Sequence, residues 1–170
     1  ICGLIHLRLR KKLKNLLTII IPRHIERSDK IKIDLEKLGL KVFLHSDHKK
    51  INLNSDIYLV NAYDKTKLFF NKCKNVFLGG SLINHGGQNP LEAARYGCNI
   101  LHGPNIKNFD EIYQFLKEKN VSHRVKNNNE FYKVLSKLLT SKNRYNEIKK
   151  NINILGENIL NKTLKKINAV

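Results

Sequence analysis

The segment from Gly79 to Glu92 has residue types and a spacing suited to binding a phosphate group. Its two glycine pairs, Gly79-Gly80 and Gly86-Gly87, follow an apolar run. Glycine lets a phosphate approach the backbone closely because it carries no Cβ atom. Asparagine is a good helix N-cap and proline is preorganised for a first helical turn, so we expect a helix to begin at Asn89-Pro90. The free amides of such a helix start are a ready anion site.

Glu92 lies in the first turn of this predicted helix. Its carboxylate there complements the helix dipole or accepts hydrogen bonds from ribose hydroxyls. The glycines follow neither the GxGxxG pattern of dinucleotide sites nor the GxxxxGK pattern of P-loops, so we expect a nucleotide-sugar site. Two alternatives stay open: a loop with demanding backbone dihedrals and no ligand, and, for Glu92 alone, a simple helix-start charge.

Two further segments, Pro22-Arg23-His24 and Asp64-Lys65-Thr66, carry polar groups shortly after apolar runs. Arg23 is suited to a bidentate contact with a phosphate, and an ion pair with Glu26 or another neighbour is the alternative. His24 is suited to a hydrogen bond with a phosphate or a substrate carboxylate, or to a structural role beside the proline turn.

Short apolar runs alternate with helical patterns along the chain, and these elements must position the three segments. We predict strands at 16–21, 41–44, 57–60, 76–78, 99–101 and 121–125. We predict that a basic helix ends within 8–15 and that further helices lie at 28–38, 66–73, 90–96, 109–119, 130–140 and 143–168. This alternation with short connections is typical of an α/β fold with an open parallel sheet of Rossmann type flanked by helices. Ligands of such sheets bind at the carboxyl ends of strands, where the three segments lie.

The composition is that of one ordinary domain, since the 170 residues are 41% hydrophobic. The cysteines, Cys2, Cys73 and Cys98, have neither disulfide nor metal spacing. We expect reduced thiols, with Cys98 as a small buried hydrophobe. No apolar run approaches the about 18 residues that span a bilayer. The chain begins at Ile1 within an apolar pattern, and we expect it to be a fragment of a longer protein.

The net charge of +18 favours an anionic partner. A nucleic acid is the first candidate, because clustered cations gain affinity by releasing counterions from polyphosphates. The lysines are spread through the predicted helices, however, and accompany many Asn and Ile residues, which argues against a nucleic-acid interface. A general attraction to an anionic membrane surface or a phosphorylated substrate fits this distribution better.

Three segments resemble the 3-deoxy-D-manno-octulosonic acid (Kdo) transferases almost residue for residue: 77–82, 85–94 and Gly103-Pro104. Residues 21–27 are similar to that family's Pro-Arg-His-x-Glu-Arg element. Asn108-Phe109 is similar to its Asn-Phe pair after the Gly-Pro turn. The long motif from glycine to glutamate is highly specific, so it carries most of the resemblance.

The resemblance covers residues 16–165 and implies a glycosyltransferase of the two-domain GT-B type. In that family the C-terminal domain holds CMP-Kdo, and the N-terminal domain holds the lipid A precursor and the catalytic carboxylate. Residues 1–170 are then a single C-terminal donor-binding domain from which the N-terminal acceptor domain is absent. We therefore expect no catalytic residue in this chain, and nucleotide binding without turnover.

The resemblance also implies which residues contact the CMP moiety. Pro22 and Arg23 contact it, residues 89–92 hold its phosphate and ribose, and the 64–66 loop borders the nucleotide. The residues expected to bind CMP are Pro22, Arg23, His24, Asp64, Lys65, Thr66, Gly79, Gly80, Ser81, Gly86, Gly87, Asn89, Pro90, Leu91 and Glu92. The family usually has a Gly-Glu pair where this chain has Asp64-Lys65, so a backbone contact survives there and a glutamate contact does not. We expect no metal ion and no cofactor, because CMP-Kdo is a substrate.

The reaction implied for the complete protein moves Kdo from CMP-Kdo to a lipid A precursor in lipopolysaccharide biosynthesis. Arg23, the helix start at Asn89 and the loop amides would neutralise the departing phosphate. We expect a peripheral location at the cytoplasmic face of the inner membrane. One alternative is a UDP-sugar-binding GT-B transferase or epimerase domain. The other is a basic module that binds an anionic surface or a nucleic acid.

Overall fold

The computed structural model describes residues 1–45, 54–142 and 144–167, and its contacts divide the chain into two compact units. Unit 1 is Ile1–Thr66 and unit 2 is Lys67–Val170. Unit 1 contains α1 (Cys2–Leu9), β1 (Thr18–Ile20), α2 (Ser28–Glu36), β2 (Val42–Leu44) and β3 (Ile57–Leu59). Helix α3 (Thr66–Phe70) begins at the boundary. Unit 2 continues with β4 (Asn75–Phe77), α4 (Leu91–Arg95), β5 (Asn99–His102), α5 (Asp110–Glu118), β6 (Ser122–Arg124), α6 (Asn128–Thr140) and α7 (Tyr145–Ile167).

Unit 1 is built on a parallel sheet with strand order β1-β3-β2. The central strand β3 pairs through Ile57 with Thr18 on one side and Val42 on the other. All three residues of β3 are buried, because a central strand of a parallel sheet is covered on both faces. Leu35 of α2 and Leu40 complete the core around Ile57.

A buried polar contact attaches α1 to this sheet. His6 Nε2 lies 3.3 Å from Asp56 Oδ1, and His6 Nδ1 lies 2.9 Å from Thr18 Oγ1. A carboxylate only accepts hydrogen bonds, so the imidazole donates through Nε2 and the Thr18 hydroxyl donates to Nδ1. Burial lowers the pKa of His6 more than Asp56 raises it. Burial raises the pKa of Asp56, but hydrogen bonds from the Lys41 amide, His6 and Arg10 outweigh it and lower that pKa overall.

Unit 2 is built on a second parallel sheet with strand order β4-β5-β6, in which Ile100 pairs with Val76 and Ser122. Ile100 and Leu101 of the central strand are buried. Helix α7 packs on α4 and places Ile148 and Ile152 in the core. The Cys98 thiol donates to the carbonyl oxygens of Phe70 and Cys73, and burial raises its pKa to about 12.

The predicted elements lie close to the observed ones, with two differences. The helix at the start of the chain ends at Leu9, and the basic run that follows forms turns, with Asn15 in a left-handed conformation (φ 60°). The strands form two three-stranded parallel sheets, where the sequence predicted one open sheet. The two ends of the predicted last helix, Asn143 and Asn168, lie outside the described residues. No helix within the described part of the chain is long and apolar enough to cross a bilayer.

Candidate functional site

The predicted site residues follow three strands, at the carboxyl ends of two sheets. In unit 1, residues 22–24 follow β1 and residues 64–66 follow β3, its neighbour in the sheet. In unit 2, residues 79–92 form the loop between β4 and the first turn of α4. The structure therefore brings together the two segments of unit 1 at one sheet edge, and it presents the glycine-rich loop at the edge of the other sheet.

Arg23 and His24 are both exposed at the edge of the first sheet. His24 Nδ1 lies 3.2 Å from Glu26 Oε1, so Glu26 is paired with the histidine. No ion pair of Arg23 is found among residues 1–45, 54–142 and 144–167. Glu26 therefore does not neutralise Arg23 as the sequence alternative supposed, and an exposed guanidinium remains available to an anion.

Asp64 adopts a left-handed backbone conformation, with a φ of 58°. This is the conformation that glycine adopts readily and that Asp tolerates better than most residues. The glycine that the resemblance leads us to expect at this position is therefore not required for the turn. Lys65 is partly buried and Thr66 starts α3, so the described turn is compatible with a backbone contact to a ligand.

The backbone of the glycine-rich loop turns through glycines in conformations that L side chains rarely adopt. Gly80, Gly86 and Gly87 have φ values of 78°, 84° and 73°. At Gly87 a Cβ atom would lie 3.0 Å from the carbonyl oxygen of Asn105. The loop therefore owes its shape to these glycines, and it packs against the segment that follows β5.

Ser81 fastens this loop to the segment after β5. Its side chain is fully buried and donates to the carbonyl of Leu78 at 2.7 Å. Its hydroxyl oxygen accepts from the Gly103 amide at 2.8 Å, and its own carbonyl accepts from the Asn105 amide at 2.9 Å. The hydroxyl of Ser81 thus makes its hydrogen bonds within the protein. Its role at a ligand site is to hold the loop in position.

Tyr113 of α5 holds the other end of the loop. It is buried, and its hydroxyl donates to the carbonyl of Gln88 at 2.9 Å. Its ring lies 4.2 Å from that of His102, whose Nδ1–H donates to the Gly103 carbonyl at 2.8 Å. Burial lowers the pKa of His102 and raises the pKa of Tyr113. Sequence reasoning missed both residues, because nothing in their spacing shows that they reach the loop.

The start of α4 differs in one respect from the sequence prediction. Pro90 has helical dihedrals and the Asn89 side chain caps the turn, since Asn89 Oδ1 accepts from the Leu91 amide at 2.9 Å. That amide is therefore not free for an anion. The Asn89 and Glu92 side chains are exposed, and Glu92 Oε1 lies 3.9 Å from Lys67 Nζ. An exposed pair of this length contributes little, so Glu92 remains able to accept other hydrogen bonds.

No group of three or more His, Cys, Asp or Glu side chains that could hold a metal ion is found among residues 1–45, 54–142 and 144–167. The described polar groups of the loop are instead hydrogen-bond donors, acceptors and a carboxylate at its exposed end. This set is suited to an organic ligand with hydroxyl groups and an anionic group.

Sequence comparison relates this chain to curated transferases. No protein-family model matches it. A 3-deoxy-D-manno-octulosonic acid transferase from Haemophilus influenzae is 33% identical over 113 residues, which are 66% of this chain and 26% of that protein. The 3-deoxy-D-manno-octulosonic acid transferase of Aquifex aeolicus is 28% identical over 148 residues, 87% of this chain and 40% of that protein. The chain thus spans well under half the length of these relatives.

Structural comparison relates the fold to that of a solved domain. The crystal structure of the C-terminal CMP-Kdo binding domain of WaaA from Acinetobacter baumannii has a TM-score of 0.78 and 21% identity. The match covers 88% of this chain and 78% of that chain. It confirms the predicted α/β fold, in which open parallel sheet structure is flanked by helices.

Proposed function

Since this chain belongs to the family of 3-deoxy-D-manno-octulosonic acid (Kdo) transferases, we propose that it is the donor-binding domain of such an enzyme. In the complete protein, this C-terminal domain would hold CMP-Kdo, and the chemistry would transfer Kdo to a lipid A precursor in lipopolysaccharide biosynthesis. The base for that transfer is expected outside residues 1–170, so this chain alone binds the nucleotide without turnover.

The observation that carries this proposal is the fixed shape of the 79–92 loop. Ser81, Gly103 and Tyr113 hold its backbone from within the fold. Its exposed end presents Asn89 and Glu92. A backbone that is already ordered loses less conformational entropy on binding than a flexible loop does, which favours affinity.

Each chemical part of the nucleotide is assigned to a different group of the chain. In unit 2, the backbone of the glycine loop is suited to phosphate and Glu92 to hydrogen bonds from ribose hydroxyls. In unit 1, the exposed guanidinium of Arg23 is suited to phosphate. The remaining residues predicted for CMP binding stay predictions, with His24 and the 64–66 turn bordering the nucleotide. As Kdo leaves, the positive charge of Arg23 would stabilise the departing CMP.

We expect the chain to bind CMP at least about tenfold more tightly than UMP or UDP, because the solved domain that it resembles in fold binds CMP-Kdo and an unmatched base leaves polar groups of a site unpaired. Calorimetric titration of the folded chain with the three nucleotides measures this preference. Glu92→Gln should weaken CMP binding, whereas Glu157→Gln, an exposed position on α7, should not. Preference for UDP would favour the UDP-sugar transferase or epimerase alternative, and binding of none of the three would contradict the proposal.

We further propose a peripheral location at the cytoplasmic face of the inner membrane, with anionic lipid as a partner. Residues 8–14 carry five cations and no acidic residue, within a chain of net charge +18. Such a run is attracted to an anionic surface and screened by salt. A basic module without a nucleotide site would show the same attraction. Nucleotide binding is therefore the property that separates the main proposal from that alternative.

We expect sedimentation with phosphatidylglycerol vesicles at low salt, loss of binding at high salt, and no binding to phosphatidylcholine vesicles. Replacing Lys11 and Lys14 with Glu should weaken this binding more than the same change at Lys30 and Lys37, which are exposed on or next to α2. Equal effects of the two pairs would mean that the basic run is not the contact surface.

A further inference from the structure

Tyr63 is distinguished from the other tyrosines by its exposure, since 62% of it is accessible to solvent. Among the described residues, no hydrogen bond or ring contact of its side chain is found. The other five tyrosines have partners or are partly covered: Tyr58 bonds His45, Tyr96 packs on Phe70, Tyr113 bonds Gln88, Tyr145 bonds Asn71, and Tyr132 is partly buried in α6. An exposed aromatic ring offers a flat face on which a planar group of a ligand could stack.

The position of Tyr63 in the sheet of unit 1 suggests that explanation. It lies in the turn that follows β3, the central strand, at the carboxyl edge. Leu59 at the end of β3 pairs with Ile20 at the end of β1, and Arg23 follows shortly after Ile20. Neighbouring strands are about 4.8 Å apart, so the two residues start from adjacent points of one edge.

The backbone beside Tyr63 holds the turn in one conformation. Asp64 has a φ of 58°, which costs energy for a residue other than glycine. Asp is one of the residues that tolerate this conformation, so the turn is compatible with its sequence. Tyr63 and Arg23 are both exposed and follow neighbouring strands at the same edge of this sheet.

We propose that the ring of Tyr63 stacks on the pyrimidine base of the nucleotide while Arg23 binds its phosphate. This inference rests on the proposed nucleotide-binding function and assigns the base a contact that the glycine loop does not supply. Every base has a π-face, so stacking is tolerant of base identity. Tyr63 thus contributes to the affinity for nucleotides over sugar phosphates, and it does not contribute to the preference for CMP over UMP.

The experiment compares wild type, Tyr63→Ala and Tyr63→Phe by calorimetric titration with CMP, UMP and ribose 5-phosphate, which lacks the base. Tyr63→Ala should weaken CMP and UMP binding by about tenfold or more, to a similar degree, and leave ribose 5-phosphate unchanged. Tyr63→Phe should bind like wild type. The chain has no tryptophan, so CMP should change the tyrosine emission of wild type and change that of Tyr63→Ala less.

Each other outcome contradicts the assignment. Unchanged CMP affinity in Tyr63→Ala, with wild type binding CMP, would overturn the stacking role alone. An equal loss of CMP and ribose 5-phosphate binding would mean that Tyr63 supports the turn or the phosphate site. Failure of folded wild type to bind CMP would contradict the proposed function itself, and the role of Tyr63 with it.

Discussion

Replacing Gly103 with alanine is expected to destabilise unit 2 by about 3 kcal/mol or more. A Cβ atom at this position would overlap the carbonyl group of Ser81 and lie 2.5 Å from the amide nitrogen of Leu82. Both contacts are with backbone, and Ser81 is held there by its hydrogen bonds to Gly103 and Asn105. The chain can relieve the overlap only by separating the two loops. Urea unfolding followed by circular dichroism measures the loss.

Gly79→Ala is the matched control for stability, because Gly79 begins the same loop and a Cβ atom there meets nothing within 4 Å. Its φ is not among the positive values, so alanine is compatible with the backbone. We expect a change within about 0.5 kcal/mol for this variant. If Gly103→Ala were as stable as Gly79→Ala, the close approach of the loop after β4 to the segment after β5 would be contradicted.

The sequence predicted the central strands best, and the reason is their burial. Strand β3 (Ile57–Leu59) was predicted at 57–60 from a continuous apolar run. Strand β5 (Asn99–His102) was predicted at 99–101 from the short apolar pair Ile100-Leu101. The structure of the basic run 8–15 was harder to predict. Its composition is compatible with a helix and does not show where the chain must turn toward β1. Which strands pair was also hidden, because pairing is a long-range contact that local periodicity does not encode.

The sequence predicted where the candidate site lies, but not which residues hold its loop in place. The glycines with positive φ and the cap at Asn89 follow from local chemistry, so a pattern reveals them. The hydrogen bond from Tyr113 to Gln88 joins residues 25 positions apart, and its existence depends on how α5 packs. The pairing of Glu26 with His24, which leaves Arg23 exposed, also required coordinates.

Arg23→Ala is expected to weaken CMP binding by about 10- to 100-fold. A charge-assisted hydrogen bond to a charged group contributes about 1.5–3 kcal/mol, and about 1.4 kcal/mol corresponds to a factor of ten. Arg23 is exposed and has no ion pair among the described residues, so removing the guanidinium should change the stability of the free protein little. The loss therefore appears in the nucleotide complex alone. Calorimetric titration with CMP measures it, and unfolding curves should match wild type.

Two variants separate a specific contact from general attraction by the +18 charge of the chain. Arg23→Lys keeps the charge and loses the planar fork, so it should recover only part of the affinity. Arg95→Ala removes the same charge from an exposed position in the last turn of α4 and should bind CMP like wild type. An equal loss in Arg23→Ala and Arg95→Ala, disappearing at high salt, would mean that the phosphate is attracted by net charge. Arg23 would then not be a nucleotide contact, and the assignment of the first sheet edge to the donor site would fail with it.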